Sequence, residues 1–393
     1  MAAEAPPNVP KVVPADLFVD GEDFVDACDK APDSLLYFLL NIGDGDAQLL
    51  VLPQRKDGGR RAIVVDVGAT GKLPPLVELL AKTQILPDLG GDRIIFPLVV
   101  ATHPHNDHIA GMPEFLDQFE AFIRELWEPG YYHPNSAYIE MMRSLEDAGG
   151  TIQHTQPTSG ATRYIGRVRV QVLAPSIGLR NRFDSYGVNL NNASLALKVE
   201  FPASGVEYVY DEEGKKKREY VRLRESRRRL ILGADSQTLS WGKVLDDFPA
   251  LEDTQFPANK ALKMALGTQP LRAEIFKVPH HGSKHGVNIE LVEEIAPNWS
   301  LISSVGGGGE YNFPHILAQE AVREALDPVS STGELHKDDW KLGIHYTGGR
   351  DSDDQPLGTI AMIIPPKGAI TMWRFGDLPN KDVDFAKARR YKG

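Results

Sequence analysis

The chain has 393 residues, enough to bury a substantial core in one large α/β domain or in two smaller ones. Its composition, 42% hydrophobic and 25% charged, is that of a globular protein, and no uninterrupted apolar run approaches the roughly 20 residues that span a bilayer. A formal net charge of −11 repels polyanions at long range and disfavours non-specific binding of nucleic acid.

Residues 1–15 are rich in Pro and Ala and read as a flexible tail. The opening stretch lacks the apolar segment of a secretory signal, so a cytoplasmic location is expected. The single cysteine, Cys28, excludes an internal disulfide, and any metal must be held by His and carboxylate. Ser34–Leu40, Ala47–Pro53 and Ala62–Val67 read as strands of an antiparallel meander with Gly/Asp turns. Leu73–Leu86 has helical apolar spacing, and Ile94–Ala101 is a buried strand bent at Pro97. His108–Leu126 and Ser136–Ala148 read as helices. Strands are expected at Val168–Leu173, Ser194–Phe201 and Arg229–Gly233, and a hairpin at Tyr208–Leu223. Further helices follow at Leu239–Phe248, Ala258–Leu266, Ile289–Ile295 and Ile316–Ala325. The remaining strands are Ile275–Val278, Ser300–Val305, Leu342–His345, Thr359–Ile364 and Ile370–Arg374, with a flexible glycine run at 306–309. This order fits two mixed sheets packed face to face with helices outside. Residues 16–393 form one domain in this reading, with a charged hairpin insertion at about 205–228 and an inserted connection at about 249–271.

The chemistry concentrates behind the apolar run that ends at Ala101. There ThrHisProHisAsnAspHis places His103, His105, Asp107 and His108 within six residues. Residues two apart in extended chain point the same way, so His103 and His105 can grip one object. Asp107 and His108 follow where the chain turns into a helix and can face a second. Packing gives no reason to crowd these groups, whereas neutral imidazole and carboxylate are the usual ligands of zinc and its neighbours. Asp235 ends a second apolar strand, 230–235, where an ionised carboxylate is costly unless paired or metal-bound. Capping the next helix is its ordinary alternative use. ValProHisHisGlySer, 278–283, ends a third strand, and one of His280 and His281 can bind metal while the other faces substrate. The basic residues between Lys215 and Arg229 read first as a solvated hairpin and second as a patch for an anionic substrate.

Taken in order, these motifs resemble a metallo-β-lactamase-fold hydrolase, and more narrowly the hydrolase domain of ComEC-type competence proteins and their soluble relatives. AsnIleGlyAspGlyAsp (41–46) resembles that group's opening turn, and ValValAspValGly (64–68) the strand whose acidic residue, here Asp66, buttresses the metal loop. The metal motif at 103–108, AsnAsnAlaSerLeu (191–195), GlyAlaAsp (233–235), HisHisGlySer (280–283), TyrAsnPheProHis (311–315) and GlyThrIle (358–360) continue the order over about residues 35–375. The resemblance implies a four-layer αββα sandwich of two mixed sheets flanked by helices. It implies a divalent metal cofactor, two zinc ions first, with manganese, iron or nickel as alternatives. His103 and His105 would hold one ion; Asp107, His108 and His281 the other; Asp235 would bridge. Asp107 would also orient a metal-activated water, and His280 by preference would donate a proton or hydrogen bond to the leaving oxygen. Asp66, Asn191 and Asn192 would support the ligands from behind. Where β-lactamases proper place a histidine, this chain has Asn191–Asn192; His133 and His154 could substitute but read as loop histidines. The expected reaction is hydrolysis of a phosphodiester or other phosphoester. A carboxylic ester, lactone or β-lactam is the alternative substrate, and a metal-binding interaction protein without turnover is the alternative class. No membrane partner is expected, and the sequence names neither substrate-binding residues nor an oligomeric state.

Overall fold

The computed structural model describes residues 12–56, 58–91, 93–180, 190–202, 206–210, 216–220, 228–249, 269–306, 311–328 and 338–393. In the first half, strands β1 (Phe18–Val19), β2 (Leu35–Leu39), β3 (Ala47–Val51), β4 (Ala62–Val67), β5 (Leu98–Val100), β6 (Glu125–Trp127) and β7 (Gln153–Thr155) alternate with helices α1 (Phe24–Asp29), α2 (Leu73–Lys82), α3 (Asn106–Ile109), α4 (Met112–Phe119) and α5 (Ser136–Asp147). The second half contributes β8 (Thr162–Ile165), β9 (Val168–Ala174), β10 (Ala196–Phe201), β11 (Val206–Tyr210), β12 (Lys216–Tyr220), β13 (Arg228–Leu232), β14 (Ile275–Lys277), β15 (Trp299–Ile302), β16 (Ile344–Tyr346), β17 (Ile360–Ile364), β18 (Thr371–Arg374) and β19 (Arg389–Tyr391). Helices α6 (Ile177–Arg180), α7 (Thr238–Asp247), α8 (Ile289–Ile295) and α9 (Ile316–Leu326) lie between them. No helix among the described residues is long and apolar enough to cross a membrane.

The strands form two mixed sheets. One runs β1-β19-β18-β17-β2-β3-β4-β5-β6-β7, antiparallel as far as β4 and parallel beyond it. The other runs β16-β15-β14-β13-β10-β9-β8, parallel from β16 to β13. Side-chain alternation makes the layers. On β2, Leu35, Tyr37 and Leu39 pack between the sheets against Val170, Leu197 and Leu230, while Leu36 and Phe38 pack outward beneath α1. On the second sheet, Ile231, Phe276 and Ile302 face outward onto Trp241 of α7, Val292 of α8 and Val322 of α9. Three apolar layers therefore separate four layers of structure, the αββα sandwich the motif order implied.

Several boundaries differ from the sequence expectation. The helix expected over His108–Leu126 is broken at Gly111, where a Cβ would meet the Ala69 carbonyl oxygen at 2.6 Å. Its distal end is β6, which pairs in parallel with β5 through Leu126 and Val99. Residues 12–15 do not belong to a loose tail: Val13 is buried and bridges to Asp351, and the Ala15 amide donates to the Ser352 hydroxyl. The hairpin insertion is present in its backbone as β11 paired with β12. Residues 1–11, the helix expected at 258–266, most of the glycine run and the basic positions 215 and 221–227 lie outside the described residues.

Candidate metal centre

The parallel strands of both sheets end at one edge of the sandwich, and the functional loops leave from those ends. β4 delivers Asp66 through a bulge. Ala47 pairs with Val67 and Gln48 with Val65, so Asp66 is the extra residue, at φ 62°. The bulge takes its carboxylate out of the strand's alternation and aims it at the loop after β5. That loop starts at Thr102, whose amide and hydroxyl both donate to Asp66, at 2.7 and 2.8 Å. Asp235 follows β13, and His280 and His281 follow β14 in a tight turn. Four of the eight non-glycine residues with positive φ among the described residues are Asp66, Ala234, His280 and His281. Such backbone costs about 1–3 kcal/mol per residue and persists where surrounding contacts over-determine it.

All six residues expected to bind metal come together. His103 Nε2 lies 3.1 Å from His105 Nδ1 and 3.7 Å from Asp235 Oδ2. His108 Nε2 lies 3.1 Å from Asp235 Oδ1 and 3.7 Å from Asp107 Oδ2. His281 Nε2 lies 3.4 Å from Asp107 Oδ2 and 3.6 Å from Asp235 Oδ1. Two ligand sets result, His103–His105–Asp235 and Asp107–His108–Asp235–His281, with Asp235 in both. The tautomers follow from the acceptors behind the rings. His108 Nδ1 donates to Asp66 at 2.7 Å, and His281 Nδ1 donates to the Ser303 carbonyl at 3.0 Å. Each ring is left with an Nε2 lone pair facing the shared carboxylates. His108 Nε2, His281 Nε2 and Asp235 Oδ1 are buried with no hydrogen-bond partner. Converging unpaired groups are expensive in a protein interior, and a divalent cation satisfies all of them at once. The donor set therefore fits metal.

The electrostatics agree. Burial alone would raise the Asp235 carboxyl, but the charges of His108, His280 and His281 hold it well below the usual range. Burial would lower His108, but Asp235, Asp66 and Asp107 raise it well above the usual imidazole value. These carboxylates hold positive charge on the imidazoles, which a divalent ion held by the same residues would supply instead. His103, by contrast, is pushed well down by burial and by His108, so its ring stays neutral.

The residues expected to support the ligands divide. Asp66 holds His108 directly. Asn191 places its amide nitrogen 3.5 Å from His280 Nε2. Asn192 sits one residue further back: its Oδ1 accepts from the Ser240 amide in α7, and its amide reaches Gln237. Gln237 in turn places its amide nitrogen 3.2 Å from His280 Nδ1, and His280 Nε2 lies 3.5 Å from Asp235 Oδ2. The His133 ring stands 5.6 Å from that of His105, whereas His154 is held by Glu128 at 2.9 Å. Phe313, from the stretch 311–315, packs its ring on both His280 and His281.

Sequence reasoning gave no role to Asp46, Lys277 and Ser303, which form a fully buried wire behind His281. Lys277 Nζ and the Ser303 hydroxyl each reach an Asp46 carboxylate oxygen at 2.5 Å, and Ser303 Oγ lies 3.0 Å from His281 Nδ1. The Asp46 amide also donates to the Asp107 carbonyl at 3.0 Å, so one residue steadies two ligands. A lysine inside the apolar strand Ile275–Val278 was the available signal. Asp46, Asp66 and His108 also cluster. Their carboxylates are already occupied by Lys277, Ser303 and Thr102, so this group is wiring and not a cage.

A four-layer αββα sandwich with His and Asp loops at the ends of its parallel strands is a metallo-β-lactamase fold. Residues 51–171 match the family described as the metallo-beta-lactamase superfamily. It is 22% identical over 293 residues to Recombination protein 2 of Haemophilus influenzae, covering 75% of this chain and 27% of that protein. The chain thus spans about a quarter of the length of that curated relative. Among solved structures it is similar to the metallo-beta-lactamase fold protein YhfI from Bacillus subtilis, at 11% identity and TM-score 0.37 over 81% of this chain and 97% of that one. It is also similar to a diphosphatase of the PhnP family, at 10% identity and TM-score 0.32 over 80% of this chain and 95% of the other.

Proposed function

We propose that this protein is a metal-dependent hydrolase of phosphodiesters or other phosphoesters, acting on a small or single-site substrate. The observation that carries the reading is the pair of ligand sets sharing Asp235, with unpartnered buried donor atoms aimed between them. Bound there, two divalent ions, zinc first, supply Lewis acidity and make water nucleophilic near neutral pH. His103 and His105 hold one; Asp107, His108 and His281 hold the other. Asp107 keeps 39% of its side chain exposed and orients the attacking water from the solvent side. His280, which burial holds below the usual imidazole value, donates a hydrogen bond to the leaving oxygen. Phosphoesters are favoured over lactones or β-lactams by the run of motifs resembling ComEC-type domains and by the match to a protein named for recombination.

The test is hydrolysis of bis(p-nitrophenyl) phosphate and of a lactone by protein stripped of metal and reloaded with zinc or manganese. Phosphodiester turnover that needs metal and is lost in Asp107→Ala is expected. Turnover of the lactone alone moves the substrate class, and stoichiometric metal without turnover on either compound overturns the enzymatic reading.

A further inference from the structure

A cavity of about 490 Å³ is lined by residues at the ends of β16 and β18 and by Val305 and Gly306 after β15. Its size is that of a small-ligand pocket. Three residues lining it carry buried polar atoms without a hydrogen-bond partner: Asn41 Oδ1, His345 Nε2 and Arg374 Nε. Arg374 is 1% exposed, and its Nη1 donates only to the carbonyls of Tyr346 and Gly358, at 2.7 and 3.0 Å. The nearby carboxylates are engaged elsewhere. Asp339 is held by Arg323 at 2.6 Å, and Asp377 by Lys72 at 2.8 Å. A buried guanidinium without an anion is expensive, and burial accordingly pushes Arg374 down to about 9. His345 is 2% exposed, its ring stacked on Trp299 at 5.3 Å. Beyond these polar groups the wall is apolar, with Ile344, Leu357 and Leu378.

We propose that this cavity binds a small organic anion, its oxyanion on Arg374 and His345, a hydroxyl or other donor of the ligand on Asn41, and its apolar body on Ile344, Leu357 and Leu378. The site is distinct from the metal centre but touches it through one loop. Ser303 backs His281, and Val305 and Gly306, two and three residues on, line the cavity. The ligand is a carboxylate or phosphate, either a separate molecule or a remote group of the substrate. The inference does not depend on the proposed hydrolysis.

The experiment is isothermal titration of the full chain, at constant metal content, with salicylate, phenyl phosphate, inorganic phosphate and uncharged benzyl alcohol. Saturable binding of salicylate or phenyl phosphate, at least about tenfold tighter than benzyl alcohol, is expected, since a hydrogen bond to a charged group is worth roughly that factor or more. His345→Phe keeps a ring on Trp299 and loses the Nε2–H that would donate to the oxyanion, and Leu378→Trp fills the cavity from its exposed rim; each weakens binding about tenfold or more with metal content unchanged. Crystals soaked with a brominated benzoate then show bromine between Arg374 and Leu378. A preference for phenyl phosphate that vanishes when metal is removed assigns the ligand to the metal centre and overturns the proposal. So does binding unaffected by both substitutions, no binding of any probe, or a cavity holding only ordered water at Asn41, His345 and Arg374.

Discussion

At the scale of single residues, the centre is held by two buttresses of different construction. Asp66 supports His108 by direct contact, whereas Asp46 supports His281 through Ser303. Asp66→Asn keeps the shape but cannot take the His108 proton as a carboxylate does. Loss of such a partner typically costs 10–100-fold in metal affinity, and zinc competition against a chromogenic chelator should show it. The second buttress separates folding from positioning. Lys277→Met leaves Asp46 charged and buried, a change worth roughly 3–5 kcal/mol of stability, to be read from urea unfolding. Adding Asp46→Leu removes the orphaned charge and should recover most of that stability, yet metal affinity should stay low because Ser303 has lost its anchor. Recovery of both together would mean that the wire serves packing alone. Lys198 offers a pH signature elsewhere. Burial lowers it to about 8, while in the unfolded chain it titrates near its ordinary value of 10.5. Between those values the unfolded chain binds more protons, so stability rises with pH across that window and is reduced below it. Lys198→Met, which leaves Glu200 paired with Arg169 at 3.0 Å, should flatten this alkaline rise in denaturation midpoints measured from pH 7 to 10.

At the scale of elements, the loops are fitted to each other by close backbone approach. A Cβ on Gly68 would lie 1.9 Å from the Asp107 carbonyl oxygen, where nothing but hydrogen fits. Gly68→Ala should therefore push the metal loop off the end of β4, costing about 1–3 kcal/mol as overpacking does, and should lower metal stoichiometry measured on the folded fraction. The elements legible in the sequence were those with a strong period: β2 to β4, β9, β10, α5 and α9. What stayed hidden was decided by distant contacts. The bulge at Asp66 is set by pairing with β3, and the break at Gly111 by the Ala69 carbonyl. β6 shows as a strand only once β5 is beside it. β19, ArgArgTyr, has no apolar period to mark it as a strand; Arg390 is held by Glu22 and Arg389 by Asp351, at 2.6 Å each. The same division holds for the centre. His103 to His108 announced themselves by crowding, and Asp235 and the His280–His281 pair by ending apolar strands. Ser303 carried no local signal, because its role depends on a strand neighbour that sequence spacing does not reveal.

For the molecule as a whole, the ligands come from both sheets: His103, His105, Asp107 and His108 leave the first, Asp235 and His281 the second. Metal should therefore act as a clasp across the open edge of the sandwich, in addition to any catalytic part it plays. An ion present at a thousandfold excess over its dissociation constant adds about 4 kcal/mol to the folded state. Chelation should then lower the thermal midpoint, and restored zinc should raise it again. A clasp also predicts where the loss falls. Amide exchange should speed up in 102–108, 233–236 and 279–283, which the ions would join, while the interior of β2 and β10, packed between apolar layers far from that edge, keeps its protection. Uniform loosening of both sheets would instead make the metal a requirement of the whole core, and no change in the three loops would mean that their contacts hold the edge closed without it.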